Sequence, residues 1–217
     1  MNRLAIIIIS LFVITTELFS QKECNITYIA NEGFIVEIEN KKVIIDGLFD
    51  KIDGQWCHFP SDSILHHIKN ASPPFDNIDL VVITHKHRDH FNKDIVCEFL
   101  VANLKAMVIC PNQVKKELSS TSNYSKFSNR IISITPENYS DTNLVIAHIQ
   151  TRVLRLEHSH YMIVDTSLGE MVNKHSSIEN NGYLLSINGV KVFHCGDTNP
   201  LNEKEYSTFN LQNEEIE

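Results

Sequence analysis

Residues 83–91 read ITHKHRDHF. Three histidines and an aspartate, His85, His87, Asp89 and His90, fall within six consecutive positions. The preceding stretch, IDLVVITH, is an unbroken apolar run, the pattern of a strand buried on both faces. In extended chain, residues i and i+2 point the same way, so His85 and His87 can address one ion. A bend into the following segment turns Asp89 and His90 toward a neighbouring position. Two imidazoles on one ion, with a carboxylate and an imidazole on a second, is borderline-hard chemistry. It suits zinc, with manganese or iron as alternatives. Chance produces an H-x-H-x-D-H match about once in a thousand chains of this composition, so an accidental polar loop is a poor explanation.

Working outward, the flanking segments predict an α/β domain with mixed sheets. ITYIANEGFIVEIENKKVIIDG predicts strands with a turn at Glu39, Asn40 and Lys41, the last strand ending at Asp46. Ser61 or Asp62 caps a helix running to about Asn70. NKDIVCEFLVANL carries helical spacing, KAMVICP reads as a buried strand, and NQVKKELSS as a short helix. NRIISITP and NLVIAHIQTRVLRLEHS supply further strands. YLLSINGVKVFHCGD is a hairpin, because Asn188-Gly189 supplies two residues that accept positive φ. Strands, then strands alternating with helices, then more strands exclude a bundle and a pure doubly wound sheet.

Bulk properties narrow the chemistry. The chain has 217 residues, the length of one domain with a short leader. Its net charge is −8, which excludes a nucleic-acid surface built on counterion release. Residues 1–20 have the pattern of a cleavable export signal: Arg3, an apolar run over 4–14, and the small residue Ser20. The run is too short for a comfortable membrane span. Residues 21–217 then form the mature domain, in a periplasmic or extracellular compartment with no stable membrane span. The five cysteines are odd in number, show no zinc-knuckle or redox spacing, and leave disulfide pairing open. Cys97 and Cys110 fall in apolar patterns and read as core.

The H-x-H-x-D-H stretch resembles the signature of the metallo-β-lactamase-fold hydrolase superfamily. The rest of the chain follows the same order: VIIDG ending at Asp46, RVLRLEH ending at His158, and VFHCGD ending at Asp197. PPFDNIDLVVITHKHRDHF and VKVFHCGDTN are most similar to the branch holding ascorbate-phosphate lactonases and N-acyl-phosphatidylethanolamine phospholipase D. The resemblance implies a four-layer αββα fold. It implies one metal on His85, His87 and His158, a second on Asp89 and His90, and Asp197 bridging both. It further implies that hydroxide activated by the metals attacks an ester, lactone or phosphodiester of a small-molecule substrate. Asp89 is then the catalytic residue that steers it, and Asp46 orients a ligand histidine.

Several histidines compete. His160 and His175 rival His158 as third ligand, though His158 ends a strand, which is rigid. His194 reads as packing or supporting, His66 and His67 as surface, and Trp56 and His58 as candidate pocket walls. An amidohydrolase barrel also opens with H-x-H, but it needs about eight βα units and some 250 residues. The superfamily expects one more histidine beyond the Gly-Asp hairpin. Residues 198–217 contain none. The expectation is therefore a C-terminally truncated domain with an incomplete second half-sheet, a weak second metal and impaired turnover. Its alternative is a non-catalytic metal-binding remnant.

Overall fold

The computed structural model describes residues 22–54, 57–199 and 207–214. The leader and Trp56 lie outside them. The chain opens with β1 (Cys24–Ala30), β2 (Gly33–Ile38) and β3 (Lys41–Ile45), then α1 (Asp62–Lys69), β4 (Leu80–Val82), α2 (Lys93–Ala102), β5 (Met107–Cys110), α3 (Asn112–Leu118) and β6 (Ile131–Ser133). It continues through β7 (Asp141–Ile146), β8 (Ile149–Leu156), β9 (Met162–Asp165), β10 (Glu170–Asn173), β11 (Asn180–Ile187) and β12 (Val190–His194).

One six-stranded sheet runs β1-β2-β3-β4-β5-β6. Its first three strands are antiparallel, and β3 to β6 are parallel, with one α-helix in each crossover. The second sheet, β12-β11-β8-β7, is antiparallel. The ribbon β9–β10 stands apart from both.

Within β4 the apolar run divides by parity. Leu80 and Val82 join the core between the sheets, with Val43, Ile45, Val153 and Tyr183. Val81, one residue out of step, packs under the helices with Ile44, Leu65, Phe99 and Val114. Alternate side chains leave opposite faces of a strand, so a strand covered on both sides must be apolar throughout. The fully buried ones each contribute about 1.5–3 kcal/mol of transfer free energy. On the outer face of the second sheet, Leu154, Leu156 and Leu184 pack with Phe209 and Leu211.

Local signals act as their chemistry dictates. Ser61 caps α1 by accepting from the Ile64 amide, and Asn70 closes it. Asn188 and Gly189 take φ of 52° and 90° at the β11–β12 turn. Cys57, Cys97, Cys110 and Cys195 are free thiols, with Cys97 and Cys110 buried. Among the described residues, no helix is long and apolar enough to cross a membrane.

Candidate metal centre

The signature sits where the parallel strands end. β4 stops at Val82, and residues 83–87 continue without regular structure. The chain then folds back: the His90 and Phe91 amides both donate to the His87 carbonyl, at 3.1 and 2.9 Å. Asn92 caps α2 by accepting from the Asp94 and Ile95 amides. The extended part presents His85 and His87 together. The turn sends Asp89 and His90 to the adjacent position. His158 follows β8 and pairs with Thr198 in an isolated bridge, which brings Asp197 alongside. Gly196 makes that approach possible. Its φ is +56°, and a Cβ there would stand 2.5 Å from Asn180 Oδ1 and 2.8 Å from Thr84.

Donor atoms of His85, His87, His158 and Asp197 all lie within 4.8 Å of one another. His87 Nδ1 is 3.1 Å from His85 Nε2 and 3.1 Å from His158 Nε2. Asp197 Oδ2 is 3.8 Å from His85 Nε2 and 3.5 Å from His158 Nε2. Bonds of about 2.0–2.1 Å to a tetrahedral ion place neighbouring ligands about 3.4 Å apart, so these separations fit one. The tautomers fit as well. Thr84 Oγ1 donates to Asp46 Oδ2 at 2.5 Å, and its oxygen accepts from His85 Nδ1 at 3.0 Å. His158 Nδ1 donates to the Ser159 carbonyl at 3.0 Å. Both rings therefore aim an Nε2 lone pair at His87 Nδ1, which can satisfy only one with a proton. A cation satisfies all three.

The second position is organised by Asp46. Its side chain is fully buried, and burial alone would push its pKa up. Hydrogen bonds from His194 and His90 outweigh burial and hold it well below the carboxylate range. Asp46 accepts from His90 Nδ1 at 2.9 Å and His194 Nε2 at 3.2 Å. With Nδ1–H committed, His90 directs Nε2 inward. That nitrogen lies 3.1 Å from Asp197 Oδ1 and 3.5 Å from Asp89 Oδ2. Neither is aligned for a hydrogen bond, so a buried nitrogen is left without a partner. Asp89 is held by the Asn31 amide at 3.2 Å, and burial raises its pKa.

Charge follows the same division. Burial lowers His85 well below its usual value, and lowers His158. Burial, with His158 and His175, brings His87 down to about 4. Lone pairs at the first position are thus exposed to a metal at neutral pH. His90 is the exception: burial opposes its charge, but Asp197 and Asp46 raise its pKa well above normal. Asp197 itself is held low against burial, chiefly by His90.

Of the rival histidines, only His175 comes near. Its ring centroid is 4.5 Å from that of His158, but its Nδ1 is 3.1 Å from the Ser159 carbonyl. It forms a rim beside the donors. His160 is exposed and pairs with Glu157, while His58 is exposed. His67, on α1, hydrogen-bonds Ser72 beyond its end. Sequence reasoning missed Glu32. Its carboxylate comes within 4.8 Å of donors on His90 and Asp197. Burial, then Asp197, raises its pKa. Its only signal was the two-residue turn between the first strands, where a charged residue ordinarily reads as solvated.

The fold and this site define a class. Residues 41–210 match the model of the β-lactamase superfamily domain, and the chain belongs to that family, with the metallo-β-lactamase fold. The UPF0173 protein YddR of Bacillus subtilis is 33% identical over 91 residues, 39% of this chain and 35% of YddR. Among solved structures, the metallo hydrolase Igni18 of Ignicoccus hospitalis superposes with a TM-score of 0.50 at 18% identity, covering 83% of this chain and 63% of Igni18. CmlA of Streptomyces venezuelae, a diiron β-hydroxylase, gives 0.53 at 12%, covering 90% and 34%. The chain thus spans about a third of YddR and under two thirds of Igni18. At these identities the structures share the fold.

Proposed function

We propose that this chain is an exported, zinc-dependent hydrolase acting on an ester, lactone or phosphodiester of a small molecule. The observation that carries the reading is the convergence of three imidazole lone pairs and one carboxylate on a single point. His85, His87, His158 and Asp197 would hold the first ion, and Asp89, His90 and Asp197 would hold the second. Three nitrogens and one oxygen are a zinc set. Divalent cations bound there supply Lewis acidity and make water a nucleophile near neutral pH. The protein does the rest. Asp46 and Thr84 fix ring orientation, which keeps the donors ready rather than mobile. Asp89 takes a proton from the attacking water and passes it to the leaving oxygen. Its raised pKa brings it closer to that task, and Asn31 keeps its carboxylate in place. Asp197 is about a quarter exposed, and a cavity of about 100 Å3 bordered by His158, His175 and Arg155 adjoins the first position. Substrate can therefore reach the donors from solvent. The resemblance of residues 73–91 and 190–199 to the lactonase and phospholipase D branch supports the substrate class, and the apolar run at residues 4–14 supports export.

Metal analysis of purified protein, with a panel of aryl phosphodiesters and lactones, tests the proposal. Bound zinc, and turnover abolished in His87→Ala and reduced at least a hundredfold in Asp89→Asn, is the expected result. Tightly bound metal with no turnover on either class would leave a non-catalytic metal-binding domain instead.

A further inference from the structure

We propose that Glu32 is a ligand of the second cation position, and that the resulting carboxylate-rich set selects a harder cation than the imidazole set beside it. The claim rests on the dinuclear reading above. Glu32 occupies the tip of the β1–β2 hairpin, at the turn formed with Asn31, whose φ is 45°. That tip is pressed onto the end of β3. A Cβ on Gly33 would stand 2.9 Å from the Gly47 Cα and 3.0 Å from the Asp46 carbonyl oxygen. Only a residue without a side chain lets the hairpin come so close. Both turn residues then face the centre: Asn31 holds Asp89, and Glu32 approaches His90 and Asp197.

Two independent features point to a cation between them. The first is His90 Nε2, buried and without a hydrogen-bond partner, while its Nδ1–H is spent on Asp46. The second is charge. Glu32, Asp197 and Asp89 crowd three carboxylates around that nitrogen. Glu32 has no hydrogen bond or ion pair with any described residue. Ligands on opposite sides of an ion bonded at about 2.1 Å stand about 4.2 Å apart. Donors of Glu32, His90 and Asp197 all lie within 4.8 Å of one another, so a small rotation of a half-buried side chain at a hairpin tip closes the set.

The donor sets then differ in kind. The first position has three nitrogens and one oxygen, the second one nitrogen and three carboxylates. Imidazole suits zinc, and carboxylate suits manganese and other oxygen-seeking ions. The expected resting state is one zinc and one manganese or ferrous ion per chain.

The test uses the full chain, stripped with chelator and offered zinc and excess manganese. Element analysis gives the stoichiometry, and the electron paramagnetic resonance of bound manganese gives its affinity. Wild type should hold one of each. Glu32→Gln should keep its zinc and lose manganese affinity about tenfold or more, and Glu32→Asp should lie between. His87→Ala should lose zinc while the manganese signal persists. Unchanged manganese affinity in Glu32→Gln, or zinc in both positions of wild type, overturns the proposal. Wild type that binds neither ion instead overturns the dinuclear reading on which it rests.

Discussion

Replacing Asp46 by asparagine changes one atom of a group buried to 1% exposure, yet it should disturb both stability and metal binding. Four donors converge on this carboxylate: the Thr84 amide at 2.8 Å, Thr84 Oγ1 at 2.5 Å, His90 Nδ1 at 2.9 Å and His194 Nε2 at 3.2 Å. Asparagine keeps one oxygen, which can still serve the Thr84 amide. Its NH2 group then faces the Thr84 hydroxyl and two imidazole N–H groups. Each buried donor left without an acceptor costs about 1–3 kcal/mol, and breaking a buried charge pair costs about 3–5 kcal/mol. A loss of about 4 kcal/mol is expected in the metal-free protein. In a chain of 217 residues, about 2–4 °C per kcal/mol gives a drop of roughly 8–16 °C in Tm. His90 escapes the clash by moving its proton to Nε2, which blocks the second position. Affinity there should fall about 10–100-fold, and less at the first position, where Asp46 acts on the His85 ring only through Thr84. Circular dichroism melts of chelator-stripped protein and calorimetric metal titrations measure both. A variant that melts within 2 °C of wild type and still takes two cations would refute the assignment of Asp46 as the anchor of His90.

Gly196→Ala should weaken both positions together, since it displaces shared Asp197, and cost about 2–4 kcal/mol in urea unfolding through strain at φ +56° and contact with Asn180. Metal-free protein should lose stability as pH falls from about 6.5 toward 4. Unfolded imidazoles bind protons in that window, while His87 does not until about 4 and the folded pKa values of His85 and His158 are also lowered. His90 has the opposite sign, but its raised pKa acts above that window, so it does not cancel the trend. Urea midpoints at pH 7.0, 5.5 and 4.5 check this, and a flat or rising series at low pH contradicts it. Export predicts that the N-terminus of the product from a secreted or periplasmic fraction lies at or near Gln21; cytosolic protein retaining Met1 argues against it.

The elements that the sequence made legible are those whose physics is local. Ser61 satisfies a helix amide whatever packs nearby, and Asn188-Gly189 accepts positive φ wherever it occurs. The buried run around β4 was legible because two-sided burial leaves no polar position. The β7–β8 turn was not separately marked. It uses Ala147 and His148 at φ of 51° and 65°, and neither residue advertises that conformation. The β9–β10 ribbon was missed entirely. Its apolar residues, Met162, Val164 and Met171, are largely exposed, so no buried stripe disciplines the pattern.

The same distinction separates the donors. His85, His87, Asp89 and His90 lie in one short stretch, where spacing alone implies a shared target. His158 and Asp197 could be placed only because strand ends return in a recurring order, and a hydrogen bond alone does not separate His158 from His175. The Ser159 carbonyl accepts from Nδ1 of both rings, but only the first is among the converging donors. Glu32 illustrates the limit. Nothing within five residues of it suggests a ligand, and its position follows from the close contact between Gly33, at the start of β2, and Gly47, just past the end of β3, two residues without side chains. A donor carried by such a contact is invisible to spacing. It is found by asking which buried nitrogen lacks a partner, and what faces it.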